Sequence, residues 1–231
     1  MTRIVFVHGS VGNAEATWAP QRALADRFEL VFHTRSGYPP RPPEERIDFA
    51  AQADELAAEL RDGDHLVGHS YGGVVSLLAA ARTPARLASL VVNEPPAFGV
   101  ALDDPAVREF LDGFSRVSFA SPQEYAATFL PLVGSAMALG DLSPTLEAGV
   151  RAAMAERPPN EAEIPFDELA ARPFPKLVVS GGHHPAFDAV CDVLVERLDA
   201  ERAVLPGAGH SLPRAPGYND VLVDFVERAA A

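Results

Sequence analysis

The chain has 231 residues, enough for one large domain or for one domain with an insertion. Hydrophobic residues make up 48% of it and charged residues 22%, which is typical of a soluble globular protein. The net charge of −13 and the isoelectric point near 4.9 argue against binding to nucleic acids or to anionic membrane surfaces. We therefore expect a small-molecule substrate as the partner, and the sequence leaves a homodimer open.

The cysteine content and the N-terminal residues indicate a compartment. The single cysteine, Cys191, excludes an internal disulfide framework and is typical of a reducing environment. The N-terminus enters a strand-like run almost at once, without the basic region and long apolar segment of a signal peptide. No apolar run is long enough to span a bilayer. These features predict a cytoplasmic protein.

Short apolar runs alternate with helical patterns along most of the chain. Four continuous runs rich in Val, Leu and Ile are predicted as buried parallel strands: Ile4–Val7, Leu66–Gly68, Leu87–Val92 and Lys176–Ser180. Two weaker runs are Leu30–His33 and Arg202–Leu205. The helical patterns between them are Ala16–Arg27, Phe49–Arg61, Val74–Arg82, Ala186–Leu198 and Tyr218–Arg228. This alternation predicts an α/β fold with a doubly wound, mostly parallel sheet.

The alternation breaks between Pro95 and Pro175. Three helix-like segments bounded by Ser-Pro or Asp-Pro signals lie there: Pro105–Arg116, Pro122–Leu130 and Pro144–Glu156. We predict a helical cap over residues 97–171, inserted into a core formed by residues 1–96 and 172–231. Six of the 13 phenylalanines lie in this cap, and we expect an apolar pocket wall, although most of the rings are needed simply to pack the cap.

The motif that carries chemistry is Gly68-His69-Ser70-Tyr71-Gly72, between a strand-like run and an Ala-rich helical run. A G-x-S-x-G sequence in that context is typical of a nucleophile elbow. The glycines are needed because side chains there would clash with the neighbouring strand and helix. Ser70 is therefore the predicted nucleophile, against the alternative of a glycine-rich turn with a surface serine.

A serine hydroxyl is a weak nucleophile at neutral pH and needs a base. His210 follows the last strand-like run and precedes the last helix. A loop at that point of an open α/β sheet lies at the same edge as the elbow, because both follow the carboxyl ends of parallel strands. The sequence therefore predicts His210 as the catalytic base.

Two hydrogen-bond donors are expected to hold the oxyanion of an acyl-transfer reaction. One is the backbone N–H of Tyr71, directly after the nucleophile. The other is expected from the loop after the first strand, with Ser10 the favoured donor and Val11 the fallback, while His8 orients the loop. Val11 and Trp18 are also candidate substrate contacts; for Trp18 the alternative is that it anchors the first helix.

These features together resemble the α/β-hydrolase superfamily, and more narrowly its small, capped, cofactor-free serine esterase-like members. The resemblance rests on the His8-Gly9 loop, the Gly68–Gly72 elbow, the Asn93–Pro96 turn, Gly209-His210 and the cap. It covers the chain end to end apart from the variable cap. The usual third strand begins at Arg3, so the first two strands of longer members are not found. The resemblance implies hydrolysis without a cofactor.

One position departs from the family pattern. The triad acid often follows the strand that here ends at Ser180, but the loop reads Gly181-Gly182-His183-His184, and His184 occupies the slot. A histidine cannot supply the anion that fixes the base's tautomer. Glu94, at the other strand end from which the superfamily supplies its acid, is favoured. Asp188 is the alternative, a chain without a conventional acid is another, and Glu94 also has a purely structural interpretation.

The adjacent histidines His183 and His184 raise the question of a metal. Neighbouring residues on one loop point in different directions, and no Cys, His or carboxylate cluster at ligand spacing accompanies them. The sequence therefore predicts no metal site, and His184 is expected at the mouth of the active site as a substrate contact.

The sequence thus predicts a serine hydrolase that forms an acyl-enzyme on Ser70 with His210 as base. The expected substrate is a small, largely hydrophobic ester, lactone or thioester. Two alternatives stay open: a ligand-binding protein on the same fold that does not hydrolyse its ligand, and a non-ester activity such as C–C bond hydrolysis or a haloperoxidase-like reaction.

Overall fold

The computed structural model describes residues 1–115, 119–137 and 140–230. Within those ranges six strands pair in parallel to form one sheet, in the order β2-β1-β3-β4-β5-β6. The strands are β1 (Arg3–Val7), β2 (Glu29–His33), β3 (His65–His69), β4 (Ser89–Asn93), β5 (Lys176–Ser180) and β6 (Glu201–Val204). Strand order reverses beside β1, so the loops that leave β1 and β3 separate and open a crevice at the carboxyl edge.

Helices cover both faces of the sheet. They are α1 (Ala14–Thr17), α2 (Phe49–Glu59), α3 (Tyr71–Arg82), α4 (Pro105–Ser115), α5 (Pro122–Leu132), α6 (Pro144–Met154), α7 (Phe166–Ala170), α8 (Pro185–Leu198) and α9 (Tyr218–Ala229). In β1, Val5 and Val7 pack with α2, α3 and α8, whereas Ile4 and Phe6 pack with α9 on the opposite face. The inner strands are apolar on both faces because both are buried. This architecture confirms the doubly wound α/β fold.

One predicted helix is wrong. The pattern over residues 16–27 predicts a single helix, but the structure has the short α1, a break at Trp18 and a 3-10 segment at Ala19–Leu24. Pro20 lies inside the predicted helix, where it has no N–H to donate and its ring clashes with the preceding turn. Elsewhere the boundaries move by a few residues. Arg116, the predicted end of α4, lies outside the described residues.

The chain leaves the sheet after β4 and returns at β5, and α4–α7 occupy this excursion. Ser121 and Ser143 cap α5 and α6 with their side chains, and each is followed by a proline that suits the first helical position. α4 packs on α8, and α5 packs on α6. The division into core (1–96 and 172–231) and cap (97–171) stays a prediction. Across the described ranges, no helix has the length and apolarity needed to cross a bilayer.

Candidate active site

The turn between β3 and α3 is the tightest point of the site. Ser70 has φ +52° and ψ −128°, a conformation that a side chain rarely adopts without support from its surroundings. Gly72 lies against β1: a Cβ there would be 2.3 Å from the carbonyl oxygen of His8. The turn therefore requires glycine at that position, and it holds the Ser70 hydroxyl at the carboxyl edge of the sheet.

Ser70, His210 and Glu94 form one hydrogen-bonded chain. Ser70 Oγ donates to His210 Nε2 over 2.9 Å, and His210 Nδ1 donates to Glu94 Oε2 over 2.7 Å. All three side chains are buried. Asp188, the alternative acid, instead accepts hydrogen bonds from Ser180 Oγ at 2.9 Å and from Arg202 at 3.2 Å. The geometry thus joins the favoured acid, and not its alternative, to the histidine.

Glu94 is held in a strained and polar setting at the end of β4. Its φ is +42°, and its second oxygen, Oε1, accepts a hydrogen bond from the Gly181 N–H over 2.6 Å. Burial alone would raise the pKa of Glu94, but hydrogen bonds from His183, His210 and Gly181 lower it to about 2. The carboxylate is therefore ionised across the neutral pH range.

The sequence did not assign a role to His183, which contacts this carboxylate. Its Nδ1 lies 3.3 Å from Glu94 Oε1, and its Nε2 donates to the Val133 carbonyl over 3.0 Å. Both ring nitrogens thus face acceptors, an arrangement that favours the imidazolium, and the hydrogen bond to Glu94 raises the pKa of His183. The sequence feature that could have indicated this contact is the position of His183 in the loop where the family usually places its acid.

His184 has a structural role at the start of α8. Its Nδ1 accepts a hydrogen bond from the Ala186 N–H over 3.1 Å, so the side chain caps α8. It does not line either of the cavities beside Ser70. A substrate contact at His184 therefore stays a prediction: its ring caps its own helix, and its neighbour His183 contacts Glu94.

The backbone of His210 is fixed from two sides. Its N–H donates to the Gly134 carbonyl over 2.9 Å, and its carbonyl accepts a hydrogen bond from His69 Nε2 over 2.8 Å. Burial lowers the pKa of His69 to about 3, so this imidazole is neutral and donates from Nε2. The second residue of the elbow motif therefore helps to place the histidine that faces the serine.

The loop after β1 lies directly against Ser70. A Cβ at Gly9 would be 2.8 Å from Ser70 Cβ, and Ser10 and Tyr71 line the cavity beside Ser70. In the described part of the chain, the N–H groups of Ser10 and Tyr71 donate to no other group. His8 holds the loop, since its Nδ1 donates to the Gly9 carbonyl over 2.8 Å. Two unengaged donors thus flank the serine.

Trp18 and Val11 do not contact the cavity, contrary to expectation. Trp18 is fully buried on the α9 side of the sheet, with its ring centre 4.9 Å from that of Phe6. This burial favours the alternative interpretation, that Trp18 anchors the first helix. Val11 is also buried, and its side chain packs among residues of α5 and α6. Its φ of +70° lies in the left-handed region.

Two cavities meet at Ser70. The larger has a volume of about 660 Å³ and an aromatic lining that includes Phe98, Phe110, Phe129 and Phe187. The smaller, of about 80 Å³, lies toward the loop after β1 and is lined in part by backbone of that loop. Ser10, Ser70 and His210 border both. Within the described ranges, no group of three or more His, Cys, Asp or Glu side chains could hold a metal ion.

Comparison with known proteins identifies the family of the chain. The family model described as "Alpha/beta hydrolase family" matches residues 4–220. A pimeloyl-[acyl-carrier protein] methyl ester esterase of Aeromonas hydrophila is 28% identical over 228 residues, covering 90% of this chain and 88% of the esterase. A RutD protein of Caulobacter vibrioides is 33% identical over 117 residues, but these span only 47% of this chain and 42% of RutD.

A solved structure shows the same fold over the full length. A carboxylesterase of the thaumarchaeon Nitrososphaera gargenis superposes with a TM-score of 0.70 and 17% identity, covering 99% of this chain and 90% of that one. At that identity the likeness concerns the fold alone. The family match covers most of the sequence, and the elbow, sheet order and inserted helices agree with it. The chain belongs to the alpha/beta hydrolase family.

Proposed function

We propose that the protein is a carboxylesterase-like serine hydrolase that forms an acyl-enzyme on Ser70. The observation that carries this proposal is the continuous hydrogen-bonded chain from Ser70 through His210 to Glu94, held in an elbow beside two unengaged N–H donors. The residue types and their geometry are those that acyl transfer requires, and the order Ser, acid, His is that of the resembling family.

Each group has a defined task in the proposed reaction. His210 Nε2 takes the proton of Ser70 as Oγ attacks the substrate carbonyl, and the N–H groups of Ser10 and Tyr71 donate to the oxyanion. His210 then gives this proton to the leaving alkoxide, and the acyl group stays on Oγ. A water molecule, deprotonated by His210, attacks the acyl-enzyme, and collapse releases the acid and restores the serine. Glu94 keeps Nδ1 protonated and stabilises the imidazolium.

The two cavities support an ester with unequal halves. A space of about 660 Å³ lined by aromatic rings suits a large apolar group, whereas about 80 Å³ accepts a group of only a few heavy atoms. The Aeromonas relative is named as an esterase of a methyl ester, which combines a long chain with a very small alcohol. We favour an ester over a lactone because a lactone joins both halves in one ring.

The non-hydrolytic alternative rested on the missing acid in the loop after β5. Glu94 fills that role geometrically from the neighbouring strand end, so the alternative loses its main argument.

A cytoplasmic location is part of the same proposal, since one buried cysteine, Cys191, suits a reducing compartment. Cell fractionation of the tagged protein tests that point.

Fluorophosphonate labelling tests the nucleophile directly. We expect the wild type to be labelled and to hydrolyse p-nitrophenyl esters, with both activities lost in Ser70→Ala. Ser89→Ala is the matched control, because Ser89 is a buried serine whose hydroxyl lies 2.7 Å from His65 at the opposite end of the sheet. A folded wild-type protein that is neither labelled nor active on any ester in a graded panel would contradict the proposal.

A further inference from the structure

The segment that follows α6, inside the predicted cap, is fixed to the core. Directly after α6, the Ile47 N–H donates to the Ala155 carbonyl over 2.9 Å, and the Arg157 N–H donates to the Ile47 carbonyl over 2.8 Å. These two bonds form an isolated parallel bridge centred on Glu156. We call residues 155–157, where the chain returns from α6 to contact the core at Ile47, the cap-exit segment; the predicted cap itself continues to residue 171. Its backbone is therefore held on both sides of Glu156.

The Glu156 carboxylate is bonded through both of its oxygens. Oε2 accepts a hydrogen bond from Ser10 Oγ over 2.5 Å. Oε1 accepts from Arg35 Nη2 over 2.6 Å and from the Tyr38 hydroxyl over 2.8 Å. Arg35 is fully buried, so this ion pair is shielded from water and its geometry is restricted. The side chain of one oxyanion-loop residue thus ends on a rigid carboxylate.

The same segment holds the second oxyanion residue. The Tyr71 hydroxyl donates to the Arg157 carbonyl over 3.1 Å. The Arg35 guanidinium packs over the Tyr71 ring at 4.7 Å, and its Nη2 also donates to the Gly9 carbonyl over 3.0 Å. Ser10 and Tyr71 are the residues whose N–H groups flank Ser70. The Ser10 side chain therefore contacts Glu156 and the Tyr71 side chain contacts Arg157, two consecutive residues of the cap-exit segment.

The loop itself needs such support. Val11 has φ +70°, a conformation that is strained for a branched residue and persists only where the surroundings over-determine the backbone. α6 lies directly on it, because a Cβ at Gly149 would be 2.0 Å from the Val11 carbonyl oxygen. The cap thus meets the loop through close backbone contact and through Glu156, and a displaced cap-exit segment would release the loop.

We propose that Glu156 is a positioning residue for the oxyanion hole, and that the cap-exit segment holds the N–H groups of Ser10 and Tyr71 in register with Ser70. The inference rests on the proposed serine-hydrolase function. Oxyanion donors act only when they are preorganised, so loosening them lowers turnover without weakening the binding of the ground-state ester. The cap therefore contributes to the reaction as well as to the cavity wall.

Two substitutions remove the side-chain links and leave both backbone N–H groups in place: Ser10→Ala and Tyr71→Phe. Complete removal of one donor costs about 10²–10³ in kcat, so a loosened donor should cost about 10-fold in each variant. KM for a p-nitrophenyl ester should change less than about twofold. Glu156→Gln, which removes the charge that Ser10 and Arg35 share, should lower kcat in the same way. The two link variants decide the test if Glu156→Gln does not fold.

A thionoester distinguishes this role from general structural damage. Its sulfur is a weak hydrogen-bond acceptor, so the ratio of turnover for an ester to that for its thionoester measures what the two N–H groups contribute. We expect the ratio to fall in Ser10→Ala and Tyr71→Phe. The controls are Ser89→Ala and Tyr218→Phe, which remove buried hydroxyls outside both cavities. Both controls should keep the wild-type ratio.

Unchanged kcat in both link variants, or a loss of kcat with the ester-to-thionoester ratio unchanged, overturns the inference. Fluorophosphonate labelling keeps this result separate from a failure of the proposed function. If the wild type is not labelled at Ser70, the serine-hydrolase proposal itself fails. If labelling and ester hydrolysis are intact while the ratio is insensitive to both links, only the role of the cap-exit segment is refuted.

Discussion

Replacing Glu94 with glutamine separates a catalytic carboxylate from a structural one. The amide keeps the size of the side chain and can still accept from the Gly181 N–H, but it has no charge to offer His210. In serine hydrolases with a comparable triad, an amide in place of the acid lowers kcat by about 10⁴-fold because the histidine is held in the wrong tautomer. We expect Glu94→Gln to lower kcat by about 10³–10⁴-fold, with little change in KM.

The same substitution has a calculable effect on stability. The pKa of Glu94 lies at about 2, below the ordinary 4.5, because the folded protein favours the ionised form. At 1.36 kcal/mol for each pKa unit, ionised Glu94 contributes about 3 kcal/mol to the free energy of unfolding at neutral pH. This contribution is fully present above pH 4.5 and is lost as the pH falls toward 2. By pH 3 about 2 kcal/mol of it should be gone.

Urea unfolding of both proteins at pH 6 and pH 3 measures this directly. The wild type should be more stable than Glu94→Gln by about 3 kcal/mol at pH 6 and by about 1 kcal/mol at pH 3. Asp188→Asn is the matched control, since Asp188 is the nearby carboxylate that does not face His210. A difference between wild type and Glu94→Gln that does not change with pH, or turnover that falls in Asp188→Asn instead, would refute the reasoning.

Two further substitutions test neighbouring parts of the site. In Gly72→Ala the new Cβ would be 2.3 Å from the backbone oxygen of His8, so unfolding free energy should fall by about 3 kcal/mol and the melting temperature by about 6–12 °C. Gly113→Ala, which meets nothing within 4 Å, should cause no such loss in the same thermal scan. The Glu94 carboxylate, 3.3 Å away, raises the pKa of His183, so its ring is cationic in mildly acidic solution, 6.2 Å from the ring of His210. His183→Gln removes this cation and should move the acid limb of the kcat/KM profile to higher pH by at least about half a unit, and an unmoved limb would contradict the pairing.

The parts of the site that could be predicted are those that depend on local pattern and on parallel-strand topology. The elbow is contiguous in sequence, so Ser70 and Tyr71 follow from the motif alone. His210 and Glu94 follow from a general property of the fold, because loops after parallel strands meet at one edge of the sheet. Because the usual position for the acid holds a histidine, the sequence indicates the other strand end, where Glu94 lies.

The parts that could not be predicted depend on packing between distant segments. An aromatic side chain such as that of Trp18 suits either a pocket wall or the packing of the first helix. Only its position on the α9 side of the sheet distinguishes these two interpretations. The Arg35–Glu156 pair joins residues 121 positions apart, one after β2 and the other after α6. No pattern in either segment indicates the partner. The break in the helix predicted over residues 16–27 could be predicted from the sequence. Pro20 lies inside the apolar pattern, and a proline at that point prevents a continuous helix.

The pairing of Glu94 with His183 explains how an acid can stand at one strand end while the usual position lacks one. β4 and β5 are neighbours in the sheet, with Asn93 paired to Val179, so the loops that follow them are in contact. Carboxylates on both loops would place like charges together and raise the pKa of one of them. An imidazole opposite Glu94 has the reverse effect, because it donates toward Oε1 and leaves Oε2 for His210. A histidine in the loop where the family usually places its acid is therefore compatible with catalysis as long as the carboxylate is supplied by the adjacent strand.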